Sequence, residues 1–531
     1  MAIGRADRQA RFDDAALLLG EELKPGGMYR LLAENGDQLF GDDYFADLFT
    51  RSRLGRPTVP ARVVATVMLL QAFDGLSDQE ACDRLAFDLR WKAAAGLSVG
   101  SGSFHPTVLV GMRNRLRAGD RPRRLFEDVN TVARAAGFLR GRRRVLDSTP
   151  LLDAVATQDT VTQLRAAIRK LLAAAEAAGE PDLLTELRGV LTRDDDYATV
   201  GKPPCDWDDR DAREALVDAL VRDANAVLAV CDGRELSGPL GEAAQLLAIV
   251  AGQDVEQGTD GMFRISRGVA RDRVLSTVDT EARHGHKSRA RTFDGYKAHL
   301  ATDPDDELIT NVTVTPANTA DRDAVEELLT EPGPAGTGGD DGGASAAALE
   351  VFGDSAYADG ATLDKLAAAG HEVHAKVPPV RNPKGYSKDE FTIDTQVGTV
   401  GCPAGHTAQI RPRRHGGQAR FRPWCAGCPL RTACTTSRSG RVITIHPHEA
   451  HLQQAKTAQR DPAWQQAYRA TRPTAERKIA HFTRRPWGGR RARCRGQARI
   501  LTDVLTRAGA INLANLAVRG LRYTPAGWAI A

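Results

Sequence analysis

The sequence contains no long apolar run and no leader-like amino terminus. It has no stretch of about 18 or more apolar residues, the length that a membrane-spanning helix requires. The first residues, MAIGRADRQARFDD, lack the apolar core of a signal peptide. Hydrophobic residues make up 42% and charged residues 26% of the 531 residues. These values predict a cytoplasmic protein of several globular domains that folds without a membrane.

Cysteine is scarce, at 8 residues in the whole chain, which argues against a disulfide framework. Four of the eight are nevertheless clustered: Cys402, Cys425, Cys428 and Cys434. Cys425 and Cys428 form a CxxC knuckle in PWCAGCPL, and two such thiolates with two further ligands complete a tetrahedral Zn²⁺ site. Cys402 stands alone in VGCPAGH, so His406 or His415 is an alternative ligand. We expect a structural zinc-ribbon-like module, with a metal-free loop as the alternative.

Net charge is also small, at +4, but the arginines are unevenly distributed. They cluster at residues 113–124 (RNRLRAGDRPRR), 140–144 (RGRRR) and 484–499 (RRPWGGRRARCRGQAR). Such clusters bind nucleic-acid phosphates in a salt-dependent manner, although any one of them is also typical of a solvated surface. Together they favour DNA as a partner. No GxxxxGK[ST] phosphate loop occurs, so ATP is not implied.

The amino-terminal region is predicted to be helical from Pro57 to Leu116, with Ser77 as an N-cap. Three short amphipathic helices in this region are typical of a helix-turn-helix-like DNA-binding module. Arg113 and Arg115 would lie on its recognition helix. A helical bundle used for dimerisation is the alternative.

Strand and helix signals then alternate along the chain. The predicted strands are Arg144–Ser148, Tyr296–Thr302, Glu307–Val314, LEVFGD and HEVHAKV, and helices are predicted at 158–258, Asp321–Leu329 and ATLDKLAAAG. The segment DPDD between the second and third strands is predicted to form a hairpin turn. The long helical stretch is interpreted as an insertion, either a DNA-handling arm or plain scaffold. The glycine-rich segment 331–348 is interpreted as a flexible surface linker.

Three acidic residues stand out by their local contexts. Asp147 in RRRVLDSTPL and Asp354 in LEVFGDSAYADG each follow an apolar run, and Glu476 lies in the helix-like stretch RATRPTAERKIAHF. Carboxylates brought together in this way can bind a pair of Mg²⁺ ions for phosphoryl transfer. On residue type alone, solvated surface charge is the alternative for each acid.

These segments resemble the DDE transposases of bacterial insertion sequences, whose catalytic domain is ribonuclease-H-like. The resemblance lies in VLDST, in GDSAY, in the segment from Phe293 to Ala324 (FDGYKAHLATDPDDELITNVTVTPANTADRDA) and in the helix around Glu476. It covers most of the chain from about residue 45 onward.

One subgroup of that family carries a Tyr-x2-Arg-x3-Glu-x6-Lys signature around its third acid. Arg472 and Glu476 match its Arg-to-Glu spacing. Arg469 occupies the Tyr position, next to Tyr468, and Thr483 occupies the Lys position, next to Arg484. We expect Arg469, Arg472 and Arg484 on the helical face of Glu476, where they would contact DNA phosphates. A solvated, salt-bridged helix is the alternative.

The resemblance implies an α/β fold with a ribonuclease-H-like mixed-sheet catalytic core, a helical amino-terminal domain, a helical insertion and a small zinc-ribbon-like insertion. The expected divisions are the amino-terminal DNA-binding domain (1–140), the first core strand (141–157), the helical insertion (158–260), the catalytic core (261–395), the Cys-rich insertion (396–445) and the carboxy-terminal helices with the catalytic glutamate (446–531).

It also implies an enzyme, a cut-and-paste DDE transposase that cleaves insertion-sequence ends and transfers them into target DNA. Asp147, Asp354 and Glu476 would hold two Mg²⁺ ions, for which Mn²⁺ is an alternative. The implied partners are double-stranded DNA, as terminal inverted repeats and target, and a second copy of the chain in the synaptic complex. Neither a membrane nor ATP is implied. The alternatives are a metal-dependent DNA nuclease on the same fold and a domesticated, catalytically inactive DNA-binding protein.

Overall fold

The structure is a computed structural model that describes residues 3–5, 12–41, 43–50, 57–195, 197–288, 290–330, 348–382, 385–484 and 489–530. Almost all of the glycine-rich segment expected to be a surface linker lies outside these ranges. Within them, no helix has both the length and the apolar character needed to cross a membrane.

The secondary structure alternates between helical and strand-rich stretches. The helices are α1 (Ala15–Leu19), α2 (Met28–Leu39), α3 (Ala61–Asp74), α4 (Asp78–Phe87), α5 (Leu89–Ala94), α6 (Thr107–Ala118), α7 (Arg124–Ala135), α8 (Thr160–Ala177), α9 (Pro181–Gly189), α10 (Arg210–Cys231), α11 (Gly238–Gln253), α12 (Val325–Leu329), α13 (Gly360–Ala368), α14 (Arg422–Cys425), α15 (Arg431–Cys434), α16 (Glu449–Ala458), α17 (Pro462–Thr471), α18 (Pro473–Phe482) and α19 (Gln497–Val518). The strands are β1 (Arg143–Leu152), β2 (Val255–Gln257), β3 (Phe263–Ile265), β4 (Arg283–Ser288), β5 (Arg291–Asp303), β6 (Leu308–Pro316), β7 (Glu350–Gly353), β8 (Glu372–Ala375), β9 (Thr392–Asp394), β10 (Thr399–Gly401), β11 (Thr407–Arg413), β12 (Gly416–Arg420), β13 (Val442–Ile445), β14 (Leu521–Thr524) and β15 (Gly527–Ile530).

The amino-terminal helices pack around α3, whose residues are buried on nearly every side. The predicted N-cap at Ser77 is confirmed, because Ser77 and Glu80 form a capping box at the start of α4. The hydroxyl of Ser77 accepts from the Glu80 backbone N–H at 3.3 Å, and the Glu80 carboxylate accepts from the Ser77 N–H at 2.7 Å. This reciprocal pair satisfies two backbone donors that the first turn of a helix leaves free.

A mixed sheet lies at the centre of the fold. Its strand order is β4-β5-β1-β7-β8, with β6 also paired to β5. β5 runs antiparallel to β1, β4 and β6, whereas β1, β7 and β8 are parallel to one another. The predicted hairpin is confirmed as β5 and β6, joined by a turn in which Asp303 Oδ1 accepts from the backbone N–H of Asp305 at 2.8 Å and of Asp306 at 3.1 Å. The fold is therefore mixed α/β, and the sheet is consistent with a ribonuclease-H-like core.

Helices cover both faces of this sheet. On one face, Tyr296, Leu300 and Val312 join the core formed by the amino-terminal helices and α19. The amide of Asn512 on α19 accepts from Ile309 N–H at 2.9 Å, which ties that buried helix to β6. On the other face, Leu146 packs with residues of α12 and α13. Because successive strand residues point to opposite faces, neighbouring residues of β1 meet different helices.

Two further units accompany the sheet. Helices α8, α10 and α11 share a hydrophobic core of their own, together with α9 and Val274, at the place where a helical insertion is predicted. Strands β9 to β13 form an antiparallel sheet in the order β13-β12-β11-β10-β9, which carries the clustered cysteines. The roles of both units stay predictions.

Candidate active site

Asp147 and Asp354 meet because of the parallel pairing of β1 and β7. Val145 on β1 pairs with Phe352 on β7, and each acid lies two residues beyond its strand's member of that pair. Parallel strands place such equivalent positions side by side at one edge. Burial raises the pKa of Asp354, and the nearby carboxylate of Asp147 raises it further. The two acids therefore share one electrostatic environment.

Arg472 supplies the positive charge next to this pair. Its Nη2 lies 3.1 Å from Asp147 Oδ2, and its side chain is only 12% exposed. Burial alone would lower the pKa of Arg472, but Asp147 and Asp354 outweigh that effect and raise it. Among the described residues, its buried Nη1 has no hydrogen-bond partner. Arg472 thus neutralises part of the acid pair and keeps one donor group for a further acceptor.

The end of β7 is held in place by Tyr468 of α17. The Tyr468 hydroxyl donates to the carbonyl oxygen of Gly353 at 3.1 Å, and its ring stacks on Trp464 at 5.1 Å between centroids. Asp354 then caps the following 3-10 turn by accepting from the Ala356 N–H at 2.9 Å. The loop that presents the Asp354 carboxylate is therefore anchored on both sides.

Glu476 lies in the first turn of α18, where it is exposed. Helix α18 packs against β1, but the described residues contain no group of three or more Asp, Glu, His or Cys side chains placed to hold a metal ion. The structure thus brings Asp147 and Asp354 together without closing a three-acid cluster around Glu476. Its role as the third ligand stays a prediction.

The single helix expected to carry the arginine face around Glu476 is instead broken at Arg472. Helix α17 ends at Thr471 and α18 begins at Pro473, because proline has no N–H to continue the helical hydrogen bonding. Arg469 is exposed on α17 and donates to Gln465 Oε1 at 3.2 Å. Arg484 lies beyond the end of α18 and is also exposed. Arg472 itself keeps helical backbone angles, with φ −58° and ψ −36°, so the shared face of Arg469, Arg472, Arg484 and Glu476 stays a prediction.

Arg113 and Arg115 both lie on α6, the predicted recognition helix, and both are half-buried. The Arg113 guanidinium donates to the two carboxylate oxygens of Asp78 at 2.6 and 2.9 Å and to Gln71 at 2.7 Å. The guanidinium carbon of Arg115 lies 5.0 Å from the centroid of the Phe49 ring. Both groups thus contribute to the packing of α6, and their contact with DNA stays a prediction.

Asp321 is a site residue that the sequence patterns did not single out. Its Oδ2 accepts from the Ser148 hydroxyl at 2.8 Å, and its Oδ1 accepts from Lys297 Nζ at 2.7 Å. Burial raises the pKa of Asp321, but the ion pair with Lys297 outweighs burial and lowers it. Asp321 therefore ties β5 to β1 immediately beside Asp147. The only sequence signal for Asp321 was its position within the segment from Phe293 to Ala324, which resembles the transposase family.

The four clustered cysteines line a single small cavity in the β9–β13 unit. Its volume is about 20 Å³, room for roughly one water-sized sphere. Cys425 and Cys434 are buried, and the Arg441 backbone N–H donates to Cys425 Sγ at 3.4 Å. Burial raises the pKa of Cys434, which Arg441 opposes. His406 also lines the cavity; His415 does not.

The size of this cavity and its four sulfur donors fit a Zn²⁺ ion. The described side chains are not, however, already arranged as a ligand group. The expected zinc site therefore stays a prediction that the placement of the four thiols supports.

Two protein-family models match the chain. One, described as "Transposase domain (DUF772)", matches residues 19–115, the region of the amino-terminal helices. The other, described as "Transposase DDE domain", matches residues 401–517, which include the cysteine cluster, Glu476 and most of α19. Asp147 and Asp354 lie outside both ranges. Neither the curated proteins nor the solved structures gave a match.

Proposed function

Since the chain belongs to the DDE transposases of the insertion-sequence type, we propose that it cleaves the ends of its element and joins them to target DNA by a cut-and-paste reaction on a ribonuclease-H-like core. The observation that carries the proposal is the meeting of Asp147 and Asp354 at one edge of the mixed sheet. Two half-buried carboxylates placed side by side destabilise a fold, so such a pair is more typical of a functional site than of a purely structural one.

Asp147 and Asp354 would hold divalent metal, with Glu476 proposed as the third ligand on the strength of the family resemblance. Their oxygen donors fit Mg²⁺ or Mn²⁺, and the pairing of Asp147 with Arg472 supports a preference for positive charge at this position. When bound, two such ions supply activation of the attacking oxygen and stabilisation of the leaving 3′-oxygen.

The surrounding side chains are proposed to orient the DNA and the acids. Arg472 would donate its unpartnered Nη1 to a phosphate oxygen, a charge-assisted hydrogen bond. Tyr468 would keep Asp354 at the strand end, and the Ser148–Asp321–Lys297 network would keep β1 in register beside it. Strand transfer exchanges one phosphodiester for another, so the reaction requires no ATP.

The remaining parts of the chain would recognise and assemble the DNA. The helices around α6, with Arg113 and Arg115, are proposed to bind the terminal inverted repeats, and two chains would hold two ends in the synaptic complex. Arg469 and Arg484, both exposed, are proposed as phosphate contacts near the acids. Zn²⁺ bound by Cys402, Cys425, Cys428 and Cys434 would stabilise the β9–β13 sheet structurally.

A joining assay tests this function against its two alternatives. Purified protein is incubated with Mg²⁺, a supercoiled target plasmid and labelled DNA that carries the ends flanking its gene, with an EDTA reaction as the control. We expect label to be cut and then recovered in the plasmid. Cleavage without joining would instead identify a nuclease. DNA binding without either product would identify a catalytically inactive DNA-binding protein.

A further inference from the structure

A groove beside Asp354 is lined by three cations and by no acidic residue. Its volume is about 550 Å³. Ser355, the residue directly after Asp354, lines one part of it, and Lys376, Arg460 and Arg469 provide the positive charge. The positively charged groove therefore begins at the residue that follows Asp354.

The sheet topology determines where the groove lies. β7 and β8 are parallel, and Gly353 pairs with Ala375. Asp354 directly follows β7 and Lys376 directly follows β8, so both lie at the same edge of the sheet. This position is a consequence of the same strand geometry that brings Asp147 to Asp354.

Hydrogen bonds give the groove a defined wall. The side chain of Gln459 accepts from the Val377 N–H at 3.1 Å and donates to the Val377 carbonyl oxygen at 3.3 Å. Gln465 in turn donates to the carbonyl oxygen of Gln459 at 3.1 Å. These bonds attach the loop that contains Arg460 to the segment after β8, so Arg460 and Lys376 belong to one connected surface.

The three cations are available to a ligand. Lys376, Arg460 and Arg469 are exposed, and none of them forms an ion pair with another residue in the described part of the chain. Lys376 Nζ lies 4.8 Å from the centroid of the Tyr468 ring, and the bond from Arg469 to Gln465 is to a neutral amide. Their charge is therefore not balanced by the protein.

We propose that this groove binds the sugar–phosphate backbone of the DNA strand that is cut, next to the phosphate that reaches Asp354. Repeated phosphates on one strand are the polyanion that an acid-free row of exposed cations accommodates. Lys376 and Arg460 are thereby assigned as residues that contact the DNA backbone. The inference rests on the proposed function and adds to it the path of the DNA at the site.

The test compares the combined variant Lys376→Gln, Arg460→Gln and Arg469→Gln with wild type. A matched control replaces three exposed cations of the β9–β13 unit, outside the groove, as Arg411→Gln, Arg420→Gln and Arg438→Gln. Binding to the labelled element end is measured in EDTA over a range of NaCl concentrations. Each lost phosphate contact reduces the magnitude of the negative slope of log K against log[salt] by about 0.9. We therefore expect this slope to be smaller in magnitude by about 2 to 3 for the groove variant than for wild type. The control should stay close to wild type.

A second measurement separates this inference from the proposed function. With Mg²⁺, the groove variant should show a KM for cleavage raised tenfold or more and a nearly unchanged kcat. If the groove variant had the same salt slope and KM as wild type, the proposed binding of DNA in the groove would be refuted. Cleavage by wild type would still support the proposed transposase function. If the groove variant had a reduced salt slope but wild type did not cleave, the binding of DNA in the groove would be supported and the proposed transposase function would be contradicted. If the combined variant unfolds at a lower temperature than wild type, the single variant Arg460→Gln is used instead, and its salt slope should be smaller in magnitude by about 0.9. A slope equal to that of wild type would refute the binding of DNA in the groove.

Discussion

The ion pair between Arg472 and Asp147 is the most consequential single contact in the candidate site. Removing the guanidinium in Arg472→Gln leaves Asp147 and Asp354 without their nearest positive charge. Loss of a charge-assisted hydrogen bond to DNA costs about 1.5–3 kcal/mol, or roughly 10- to 150-fold in rate. We therefore expect cleavage at limiting DNA to fall by that factor, measured with the labelled element end.

The matched control for this variant is Arg477→Gln. Arg477 lies on the same helix as Glu476, but it is exposed and pairs with Glu307 at 2.6 Å. Exposed pairs contribute little, at about 0–1 kcal/mol, so cleavage by this control should stay within a few-fold of wild type. An Arg472 variant that cleaves as fast as the control would refute the assigned role.

His299 predicts a specific pH dependence of stability. Burial lowers its pKa to about 4, an effect that Asp321 opposes and Lys297 strengthens. The unfolded chain, with a histidine pKa of about 6.5, therefore binds a proton that the folded state does not between these values. Stability is lost as the pH falls from about 6.5 to about 4, by up to roughly 3 kcal/mol.

Replacement of His299 by glutamine removes this proton. Urea unfolding at pH 7 and at pH 4.5 should show wild type losing stability relative to His299→Gln at the lower pH. A difference between the two proteins that is the same at both pH values would contradict the assignment.

Local sequence contexts singled out Asp147 and Asp354, since each follows an apolar run, and the pairing of β1 with β7 places the two acids close together. Their catalytic role stays a prediction. Local sequence contexts did not single out Asp321 or Lys376. The relevance of Asp321 depends on hydrogen bonds to β1 and β5, more than 20 residues away in sequence. That of Lys376 depends on the register between β7 and β8. Such partners follow from tertiary pairing, which residue type and spacing do not encode.

At the level of elements, the β9–β13 sheet is the part whose stability we expect to depend on metal. Its core includes Cys425 and Cys434, whose thiolates would be bound to Zn²⁺ together with Cys402 and Cys428. Purified protein should contain one zinc per chain, and chelation should lower its thermal unfolding midpoint. Cys428→Ser should lose the zinc, whereas Cys205→Ser, outside the cavity, should keep it. Metal-free protein with a midpoint insensitive to chelator would contradict the site.

The contact of α17 with β7 can be tested at the hydroxyl of Tyr468. Tyr468→Phe keeps the stacking on Trp464 but removes the donor to the buried Gly353 carbonyl. A lost hydrogen bond of this kind costs about 0.5–1.5 kcal/mol. We expect that loss in urea unfolding together with slower cleavage, because Asp354 follows Gly353. Unchanged stability and cleavage would show that the strand end needs no such anchor.

Element types were predicted more successfully than their ends. The hairpin of β5 and β6 and the helix after Ser77 follow from alternation and capping signals that act locally. The break between α17 and α18 was missed although Pro473 is visible in the sequence, because a 3.6-residue spacing was extended across a residue that cannot donate a backbone hydrogen bond.

At the scale of the whole molecule, the order of strands and helices along the chain was predictable, whereas the assembly of the site was only partly so. The strand order places Asp147 and Asp354 together through backbone pairing alone. Glu476 depends on how α18 packs against β1, which no sequence pattern specifies. We therefore predict that all three acids are needed when DNA and metal are bound, even though only two of them meet in the protein alone.

The most direct test is Mg²⁺-dependent cleavage of the labelled element end by Asp147→Asn, Asp354→Asn and Glu476→Gln. Each substitution removes one carboxylate charge and nearly preserves side-chain size, so the fold and the binding of DNA in EDTA should be kept. We predict that wild type cuts at the element end and that all three variants bind but do not cut. Cleavage at the wild-type rate by the Asp147 or Asp354 variant would contradict the assignment of these acids as metal ligands, and such cleavage by the Glu476 variant would exclude that residue as the third ligand.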